Sequence, residues 1–346
     1  MELRQTCRDD SERIWDMLAA QSSFPLTAMI SLTERCPLSC THCYLCERPS
    51  LVADELTTQE LVQLLDELAA LGVIKITFTG GEPGLRKDLC EIVQEAASRH
   101  FVVSVKSSAA LFSPLQTEQL YRSGAHNLTI TLLHTDSSAH DAFVGMQGAF
   151  HNAVNAAQTM VKAGGQLHVT IPVMHWNISV IPALLQWCHE QQFVTNFDVR
   201  IYPRLDGGGD TAKLRASEDQ ILKLFSYPEV AKSIKSTPKN MSERICSAGS
   251  TDVHFCANGD VWPCTMIPLT LGNLRQSSFA NIWQNSEVKK QLDALRWGDN
   301  PACHHCAYSD YCGRCPADAF LEHGNVEKSS SQDCLLARLR HSMKSQ

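Results

Sequence analysis

The sequence predicts an α/β protein: an open, partial (β/α)6 barrel followed by a smaller C-terminal domain that is organised around bound metal. Three observations lead to this fold class. Strand-like and helix-like patterns alternate from residue 26 to residue 202. Three cysteines with the spacing C-x3-C-x2-C lie in a short loop after the first predicted strand. Eight more cysteines fall within the 89 residues from Cys246 to Cys334, where few long periodic segments are found.

Six apolar, often β-branched runs predict the strands of the barrel. They are Leu26–Leu32, Val73–Thr79, Phe101–Val105, Asn127–Leu133, Leu167–Met174 and Phe197–Tyr202. Helical patterns lie between them, at Thr57–Leu71, Leu89–Arg99, from Ser113-Pro114, at Asn152–Lys162 and at Ile181–Gln191. Six alternating units imply a parallel sheet and are too few to close an eight-stranded barrel. In such folds the chemistry gathers at the carboxyl ends of the strands, where the cysteine loop lies.

Composition narrows the class of protein. The chain of 346 residues has a formal charge of −7, which argues against nucleic acid as the main partner. It contains no apolar run of about 20 residues and its first residues are charged, so we expect a cytoplasmic protein with no membrane partner. Fifteen cysteines in a long chain without an export signal favour metal ligation over disulfides.

Changes in pattern along the chain predict four regions. Residues 1–25 are expected to form an N-terminal cap, 26–205 the barrel, 206–240 a connector with a helix over 217–235, and 241–346 the cluster-binding domain and tail. The most ordered piece of the last region is a predicted hairpin, with strands Val253–Phe255 and Val261–Trp262 around a turn at Asn258-Gly259.

The cysteine loop is Cys36-Pro-Leu-Ser-Cys40-Thr-His-Cys43, and Gly80-Gly81-Glu82-Pro83 follows the second predicted strand. Three thiolates in one short loop can hold an iron–sulfur cube and leave its fourth iron open, whereas a structural zinc site normally takes four ligands. The two motifs, each at the end of its strand, resemble the radical S-adenosylmethionine (radical SAM) superfamily. This resemblance extends over about residues 26 to 334.

The resemblance implies a mechanism. Cys36, Cys40 and Cys43 would hold a [4Fe–4S] cluster whose open iron binds S-adenosylmethionine, and reductive cleavage would give a 5′-deoxyadenosyl radical that abstracts hydrogen from the substrate. It also implies the residues that contact the cofactor, while the catalytic acid or base stays unassigned. These are Gly80, Gly81, Glu82 and Pro83 for the amino group, His42 beside the adenine, and Ser107, Ser108, Thr131 and Asn177 for the adenosine. Thr131 could equally be an ordinary strand residue, and Asn177 could cap the following helix.

The C-terminal cysteines resemble a SPASM domain, which carries auxiliary [4Fe–4S] clusters. By that resemblance Cys246, Cys264 and Cys315 would hold one auxiliary cluster, with Cys256 as a candidate fourth ligand. The second cluster would be held by Cys303, Cys306, Cys312 and Cys334. Two zinc sites are the alternative for these thiolates.

Four cysteines fit neither pattern: Cys7, Cys46, Cys90 and Cys188. Cys90 and Cys188 lie on predicted helices and are expected to be buried apolar residues, and Cys46 is either structural or a reactive thiol. His134, His140, Asp141 and Arg200 are expected near the barrel mouth, either as substrate contacts or as structural polar groups.

The pattern is most similar to peptide maturases such as those of pyrroloquinoline quinone and mycofactocin. The first hypothesis is therefore hydrogen abstraction from a ribosomal precursor peptide, giving a crosslink or another modification. A small-molecule radical SAM dehydrogenase and a non-enzymatic electron-transfer or redox-sensing protein are the alternatives. Formylglycine formation is disfavoured, because sulfatase maturases carry an aspartate where this chain has Thr265. Expected partners are the peptide, a reducing flavodoxin or ferredoxin and, given the short N-terminus, a separate recognition protein or the barrel itself.

Overall fold

One sheet of nine strands runs through the protein, in the order β6-β5-β4-β3-β2-β1-β7-β8-β9. The structure, a computed structural model, describes residues 17–18, 22–45, 54–207 and 211–344, so most of the predicted N-terminal cap, Cys7 and Cys46 lie outside it. The strands are β1 Thr27–Ser31, β2 Lys75–Thr79, β3 Val102–Lys106, β4 Ala125–Thr131, β5 Gln166–Pro172, β6 Val194–Asp198, β7 Asp252–Phe255, β8 Asp260–Trp262 and β9 Gly272–Asn273. The first six pair in parallel, which confirms the predicted partial (β/α)6 barrel.

The two faces of the barrel sheet differ in polarity because successive side chains of a strand point to opposite faces. On β4, Leu128 and Ile130 are fully buried, as Phe78 on β2 is, and they belong to the main hydrophobic core. Thr129 and Thr131 alternate with them on the other face. The polar face leads up to the carboxyl ends of the strands, where the candidate site lies.

Helices connect and cover the strands. They are α1 Thr58–Ala70, α2 Leu89–Ser98, α3 Pro114–Arg122, α4 Ser137–Val144, α5 Ala149–Lys162, α6 Ile181–Glu190, α7 Glu218–Phe225, α8 Pro228–Ala231, α9 Phe279–Asn285, α10 Glu287–Ala294, α11 Pro301–His304, α12 Pro316–His323 and α13 Ser331–Lys344. The capping box predicted at Thr57 and Glu60 is present. No helix among the described residues is both long and apolar enough to cross a membrane.

Two predicted elements were wrong in position. The sixth strand is Val194–Asp198 rather than Phe197–Tyr202, because pairing with β5 ends where Asp198 lies opposite Pro172. A proline has no backbone N–H to continue the ladder. The helix predicted over 217–235 is broken into α7 and α8, since Pro228 follows Tyr227, whose backbone is extended.

Two regions of the chain contain more helix than was predicted. Helix α4 lies between β4 and α5, where no helix was predicted. The C-terminal region was expected to hold few periodic segments, yet it contains five helices, of which α13 spans 14 residues. The α4 region carries serine, histidine and aspartate residues, and the C-terminal region carries cysteines and prolines; both sets interrupt the hydrophobic pattern of a helix.

The predicted hairpin is confirmed, and it joins the barrel sheet directly. Strand β7 pairs in parallel with β1, with Ala28 opposite Val253 and Ile30 opposite Phe255. The turn contains Gly259 at φ +88°, a conformation that glycine adopts without the usual steric cost. The sheet is therefore continuous between the barrel and the C-terminal region, while the boundaries at 205/206 and 240/241 stay predictions.

Packing on α9 reinforces this junction. Phe255 is fully buried, and its ring meets that of Phe279 edge-on with centroids 5.0 Å apart. Glu67 of α1 accepts hydrogen bonds from the backbone N–H groups of Phe279 and Ala280, at 3.1 and 2.8 Å. A carboxylate at a helix N-terminus satisfies donors that have no partner within the helix. The barrel and the C-terminal region thus share one core.

Replacement of Phe255 by alanine tests this shared core. We expect a loss of about 3–5 kcal/mol in the free energy of unfolding, as for other large-to-small changes of buried aromatic residues. Because β7 is part of the barrel sheet, the loss should appear in a single unfolding transition, monitored by circular dichroism under anaerobic conditions. Val102→Ala, at a side chain that is 43% exposed, should change stability by less than about 0.5 kcal/mol. Separate melting of a C-terminal unit would contradict the shared core.

Candidate active site and cluster-binding cysteines

A single cavity of about 290 Å³ lies at the carboxyl ends of the barrel strands. Its walls include the cysteine loop after β1, the Gly-Gly turn after β2, the serine pair after β3 and the segment that follows β6. Of the predicted site residues, those in the lining are Cys36, Cys40, Cys43, His42, Gly80, Gly81, Ser107, Ser108 and Thr131. The structure therefore brings together residues that lie almost 100 positions apart, at the edge of the sheet where they were expected.

The three cysteines of the first loop influence one another electrostatically. Burial raises the pKa of the Cys40 thiol to about 12, and the thiolates of Cys43 and Cys36 add to the shift. Cys36 is exposed as a residue, yet enclosure of its thiol raises the pKa to about 11. Three neighbouring thiolates without a cation are unfavourable, so the loop is suited to a cationic metal group that takes up their charge.

Two glycines hold the cysteine loop in place from the β2 side. A Cβ atom at Gly80 would collide with the backbone oxygen of Thr33, and one at Gly81 with that of Arg35. The backbone N–H of Gly81 donates to the Thr33 oxygen at 2.7 Å, and that of Glu82 donates to the Arg35 oxygen at 2.8 Å. Close backbone approach of this kind requires glycine.

Helix α4, which the sequence did not reveal, supports the loop from the other side. The N–H of Ser39 donates to the carbonyl of Val144 at 2.9 Å. The helix ends at Gly145, with φ +74°, and a Cβ atom there would collide with the hydroxyl of Ser39. Leu38 and Cys40 pack against a hydrophobic cluster that includes Val144. The cysteine loop is thus seated between α4 and the Gly-Gly turn.

Glu82 is fully buried, and its carboxylate holds the serine pair. One oxygen accepts from the Ser107 hydroxyl at 2.6 Å and the Gly84 N–H at 2.9 Å. The other accepts from the hydroxyl and the N–H of Ser108, at 2.5 and 2.9 Å. The predicted contact of Glu82 with the cofactor's amino group stays a prediction, and in the structure both carboxylate oxygens already have partners. Pro83 is buried at the start of a short 3-10 turn, Pro83–Leu85.

Histidines line the cavity as neutral rings. Burial lowers the pKa of His42 to about 4 and that of His140 to about 4. The ring of His42 lies 5.3 Å from that of Phe143, and its Nδ1 is buried without a hydrogen-bond partner among the described residues. An unpaired polar atom beside the cysteine loop fits a ligand with hydrogen-bonding groups, such as a nucleoside base.

Asn177 is placed differently from the other predicted cofactor contacts. It is fully buried, and its side chain accepts from the N–H of Met174 and donates to the carbonyls of Leu133 and Pro172, at 2.7, 3.0 and 3.0 Å. It makes no side-chain cap to the following 3-10 turn. Its amide therefore ties the end of β5 to the end of β4, and it lies outside the cavity lining.

The other polar residues expected at the mouth are largely structural. His134 stacks on Trp176 with ring centroids 5.8 Å apart. Asp141 accepts from the N–H groups of Gly148 and Phe150 at the start of α5. Arg200 lines the cavity but forms an ion pair with Asp333 at 2.8 Å.

The two cysteines predicted on helices are found there. Cys188 lies on α6 in the core, and burial raises the pKa of its thiol to about 12. Cys90 lies on α2, partly buried, and packs against the same core. The predicted burial is found for Cys188, whereas Cys90 is only partly buried.

The C-terminal cysteines form two neighbourhoods. Burial raises the pKa of Cys264 to about 11, and the thiolates of Cys246 and Cys315 contribute. In the second neighbourhood, Cys312 has a pKa of about 11, raised by burial and then by Asp333 and by the thiolates of Cys334 and Cys303. Cys306 also acts on Cys303. Each neighbourhood contains members of one predicted ligand set, and the ligand sets themselves stay predictions.

Cys256 follows β7 and lines a small separate cavity of about 20 Å³, together with Tyr44, His254 and Thr265. This volume is about that needed for one water molecule. The role of Cys256 as a fourth ligand stays a prediction. As the side chains stand, no three His, Cys, Asp or Glu residues in the described parts of the chain could hold a single metal ion.

Lys106, Tyr44 and Tyr202 are cavity residues that were not singled out from the sequence. Lys106 ends β3 on the polar face; the residue is exposed as a whole, and partial desolvation of its ammonium group at the cavity lowers its pKa. Tyr44 lies beside Cys43 and Cys264, and Tyr202 contacts Cys315. The period-2 alternation of β3 could have indicated Lys106, whereas the two tyrosines depend on contacts between distant segments.

The sequence matches the radical SAM superfamily over residues 30–188, and an iron–sulfur cluster-binding domain, SPASM, over residues 246–316. The chain belongs to the radical SAM superfamily and carries a SPASM domain. The predicted membership is confirmed, and this radical SAM enzyme uses S-adenosylmethionine and iron–sulfur clusters. Both matched segments supply walls or neighbours of the central cavity.

Similar proteins fall into two groups by activity. An AdoMet-dependent heme synthase from Methanosarcina barkeri is 25% identical, covering 89% of this chain and 96% of that protein. A PqqA peptide cyclase from Granulibacter bethesdensis is also 25% identical, covering 92% of this chain and 89% of that protein. The crystal structure of Streptococcus suis SuiB bound to its precursor peptide SuiA has a TM-score of 0.69 and 18% identity, covering 95% of this chain and 80% of that chain.

Substitution of Gly145 tests how the radical SAM loop is seated. Gly145→Ala should displace Ser39 and lower first-cluster loading by up to about four irons per chain, because the new Cβ collides with the Ser39 hydroxyl. Iron analysis and electron paramagnetic resonance (EPR) of the reconstituted enzyme measure this loss. Gly148→Ala is the matched control: its φ is +82°, but no atom lies within 4 Å of the new Cβ. Equal iron loss in both variants would show that backbone strain alone is responsible.

Substitution of Glu82 tests the support of the serine pair. Glu82→Gln places an amide NH2 against hydroxyl or N–H donors in a fully buried site. A buried donor without an acceptor lowers the stability of this arrangement by about 1–3 kcal/mol. We expect S-adenosylmethionine to bind about 10-fold more weakly or worse, with iron content unchanged. Titration of the cluster EPR signal with the cofactor gives the Kd. Glu91→Gln, an exposed change on α2, should leave the Kd unaltered.

Proposed function

We propose that this radical SAM enzyme is a peptide maturase that modifies a ribosomal precursor peptide, giving a crosslinked or otherwise altered product. The observation that carries the proposal is the central cavity, which is lined by the cysteine loop and whose wall residue Tyr202 contacts Cys315 of the C-terminal region. A substrate group in this cavity would lie beside the cysteine loop, with Tyr202 between it and the Cys315 thiol. Such an arrangement suits a reaction that begins with hydrogen abstraction and ends with electron removal.

The residues around the cavity fit the expected cofactors. Cys36, Cys40 and Cys43 would hold a [4Fe–4S] cluster with one open iron, and Gly80 and Gly81 line the same cavity. When bound there, S-adenosylmethionine supplies a 5′-deoxyadenosyl radical that abstracts hydrogen from the substrate. The protein's part is to orient the groups and exclude water, and the serine pair fixed by Glu82 forms part of the cavity lining.

The C-terminal thiols fit two auxiliary [4Fe–4S] clusters. Cys246, Cys264 and Cys315 would hold the first, with Cys256 as a candidate fourth ligand, and Cys303, Cys306, Cys312 and Cys334 would hold the second. Mutual effects on thiol pKa support each grouping. A tetrahedral zinc site needs four ligands around one ion, whereas an iron–sulfur cluster spreads its ligands over separate irons. The match to an iron–sulfur cluster-binding domain over residues 246–316 favours the clusters over zinc.

The peptide substrate is supported by two likenesses. PqqA peptide cyclases match nearly the whole chain, and the fold is shared with SuiB bound to a precursor peptide. The second candidate is a small-molecule substrate, favoured by the likeness to AdoMet-dependent heme synthases at the same 25% identity. Lys106 gives the cavity a positive group, which suits a substrate with an acidic or electron-rich group in either case.

The remaining parts of the proposal concern partners and organisation. A flavodoxin or ferredoxin would reduce the first cluster, and a separate protein or the barrel itself would recognise the peptide. We place the enzyme in the cytoplasm and divide it at 25/26, 205/206 and 240/241. The charge of −7 gives no support for nucleic acid as a partner.

Anaerobic reconstitution tests the proposal. The enzyme should bind about 12 irons, release 5′-deoxyadenosine on reduction with S-adenosylmethionine, and change the mass of a short peptide encoded beside its gene. Cys36→Ala should abolish 5′-deoxyadenosine release and leave about eight irons, since only the first cluster loses a ligand. Cys90→Ala removes a thiol outside the ligand sets and should keep all three clusters and full activity.

Each part of the proposal would be contradicted by a different experimental result. No 5′-deoxyadenosine under strongly reducing conditions, with any candidate substrate, would exclude hydrogen abstraction. About four irons together with zinc would exclude the auxiliary clusters. An unmodified peptide, together with conversion of a tetrapyrrole precursor of heme, would assign the small-molecule activity instead.

A further inference from the structure

The segment after β6 forms the wall between the central cavity and the first auxiliary site. Tyr202 lies in this segment and lines the cavity. Its hydroxyl oxygen is 3.8 Å from the sulfur of Cys315 and 3.2 Å from Nη1 of Arg200. Tyr202 therefore contacts the substrate chamber on one side and a proposed cluster ligand on the other.

The chemistry of its two neighbours fixes the direction of the hydrogen bonds. A guanidinium group has donors only, so the Tyr202 oxygen accepts from Arg200. The tyrosine's own hydrogen is then free to be donated, and a cluster-bound thiolate sulfur is an acceptor. The hydroxyl thus receives a hydrogen bond from a cation and passes one to the Cys315 sulfur.

A buried network holds both ends of this contact. Nη2 of Arg200 donates to Asp333 at 2.8 Å and to the carbonyl of Gly313 at 3.1 Å. The other oxygen of Asp333 accepts from the backbone N–H of Cys315 at 2.7 Å. Asp333 is 1% exposed and directly precedes Cys334. Arg200 and Cys315 are therefore fixed to the same carboxylate, which sets the distance between Tyr202 and the Cys315 sulfur.

We propose that Tyr202 donates a hydrogen bond to the Cys315 sulfur and thereby raises the reduction potential of the first auxiliary cluster. This inference rests on the proposed ligand set Cys246, Cys264 and Cys315. A hydrogen bond to a cluster sulfur withdraws electron density, which stabilises the more negative, reduced state. A higher potential makes the cluster a better acceptor for an electron that leaves a substrate in the adjoining cavity.

A redox titration followed by EPR tests the role of Tyr202. The background is the full-length chain with Cys36, Cys40 and Cys43 replaced by alanine, so that only auxiliary clusters contribute signals. Tyr202→Phe keeps the ring and removes the hydroxyl. One auxiliary midpoint potential should shift to a more negative value, and the other should stay unchanged. Tyr227→Phe, at a side chain that is 37% exposed, is the matched control and should shift neither.

A second variant of Tyr202 keeps the test decisive if the Tyr202→Phe chain incorporates its auxiliary cluster poorly. Replacement of Tyr202 by 3-fluorotyrosine preserves the contacts and makes the hydroxyl a stronger donor, so the same midpoint should shift to a more positive value. Shifts in opposite directions for the two variants are the signature of a hydrogen bond, which a purely structural role would not give.

The outcomes separate this inference from the ligand set on which it depends. Unchanged midpoints in both variants, with iron content equal to that of the parent chain, would overturn the role of Tyr202 alone. A Cys315→Ala chain that keeps its full iron content and both auxiliary signals would overturn the ligand set, and the inference would fall with it.

Discussion

The parallel pairing of β7 with β1 is the constraint on which the site depends. Both strands lead directly into segments that carry cysteines: the cysteine loop follows β1, and Cys256 follows Phe255 at the end of β7. Because the two strands share a ladder of backbone hydrogen bonds, the two segments leave the sheet at its same edge. A flexible linker would allow the C-terminal region to move against the barrel, whereas a shared sheet and the packing of Phe255 on Phe279 do not. The central cavity, which barrel-side residues line, therefore keeps a fixed position relative to the C-terminal cysteines.

The buried ion pair of Arg200 and Asp333 supplies a second connection, on the far side of the barrel. It joins the segment after β6 to helix α13, 133 residues further along the chain. Burying two charges carries a desolvation cost that offsets much of their attraction, so the pair adds little net stability. Removing one partner is expensive, however, because the other charge stays buried alone. The ion pair instead fixes positions. Asp333 also accepts a hydrogen bond from the N–H of Cys315, and so connects the cavity wall to this proposed cluster ligand.

The sequence revealed features that are local and periodic. The capping box at Thr57, the hairpin turn at Gly259 and the cysteine spacings each depend on residues within a few positions. Strand β6 was displaced in the prediction because it lies at the sheet edge, where its side chains are only half-buried and its apolar pattern is weak. Helix α4 begins with two serines and has its larger apolar residues only at Phe143 and Val144, so its periodic pattern is too short to predict a helix. The contact of Tyr202 with Cys315 joins positions 113 apart, which no periodicity encodes.

Glycine is needed at Gly80 and Gly81 for a steric reason that does not depend on a bound cofactor. Cβ atoms there would meet the backbone oxygens of Thr33 and Arg35, just before the cysteine loop, and Gly145 is similarly required against Ser39. The three glycines thus position the loop from both sides, because the absence of a Cβ atom lets the neighbouring segments approach closely. Ordering a loop costs roughly 1–2 kcal/mol per residue in backbone entropy. In this enzyme folding has already met that cost for the loop backbone, so the segment that carries Cys36, Cys40 and Cys43 is positioned before a cluster binds. A glycine in this motif is therefore evidence about the position of the loop as much as about the cofactor.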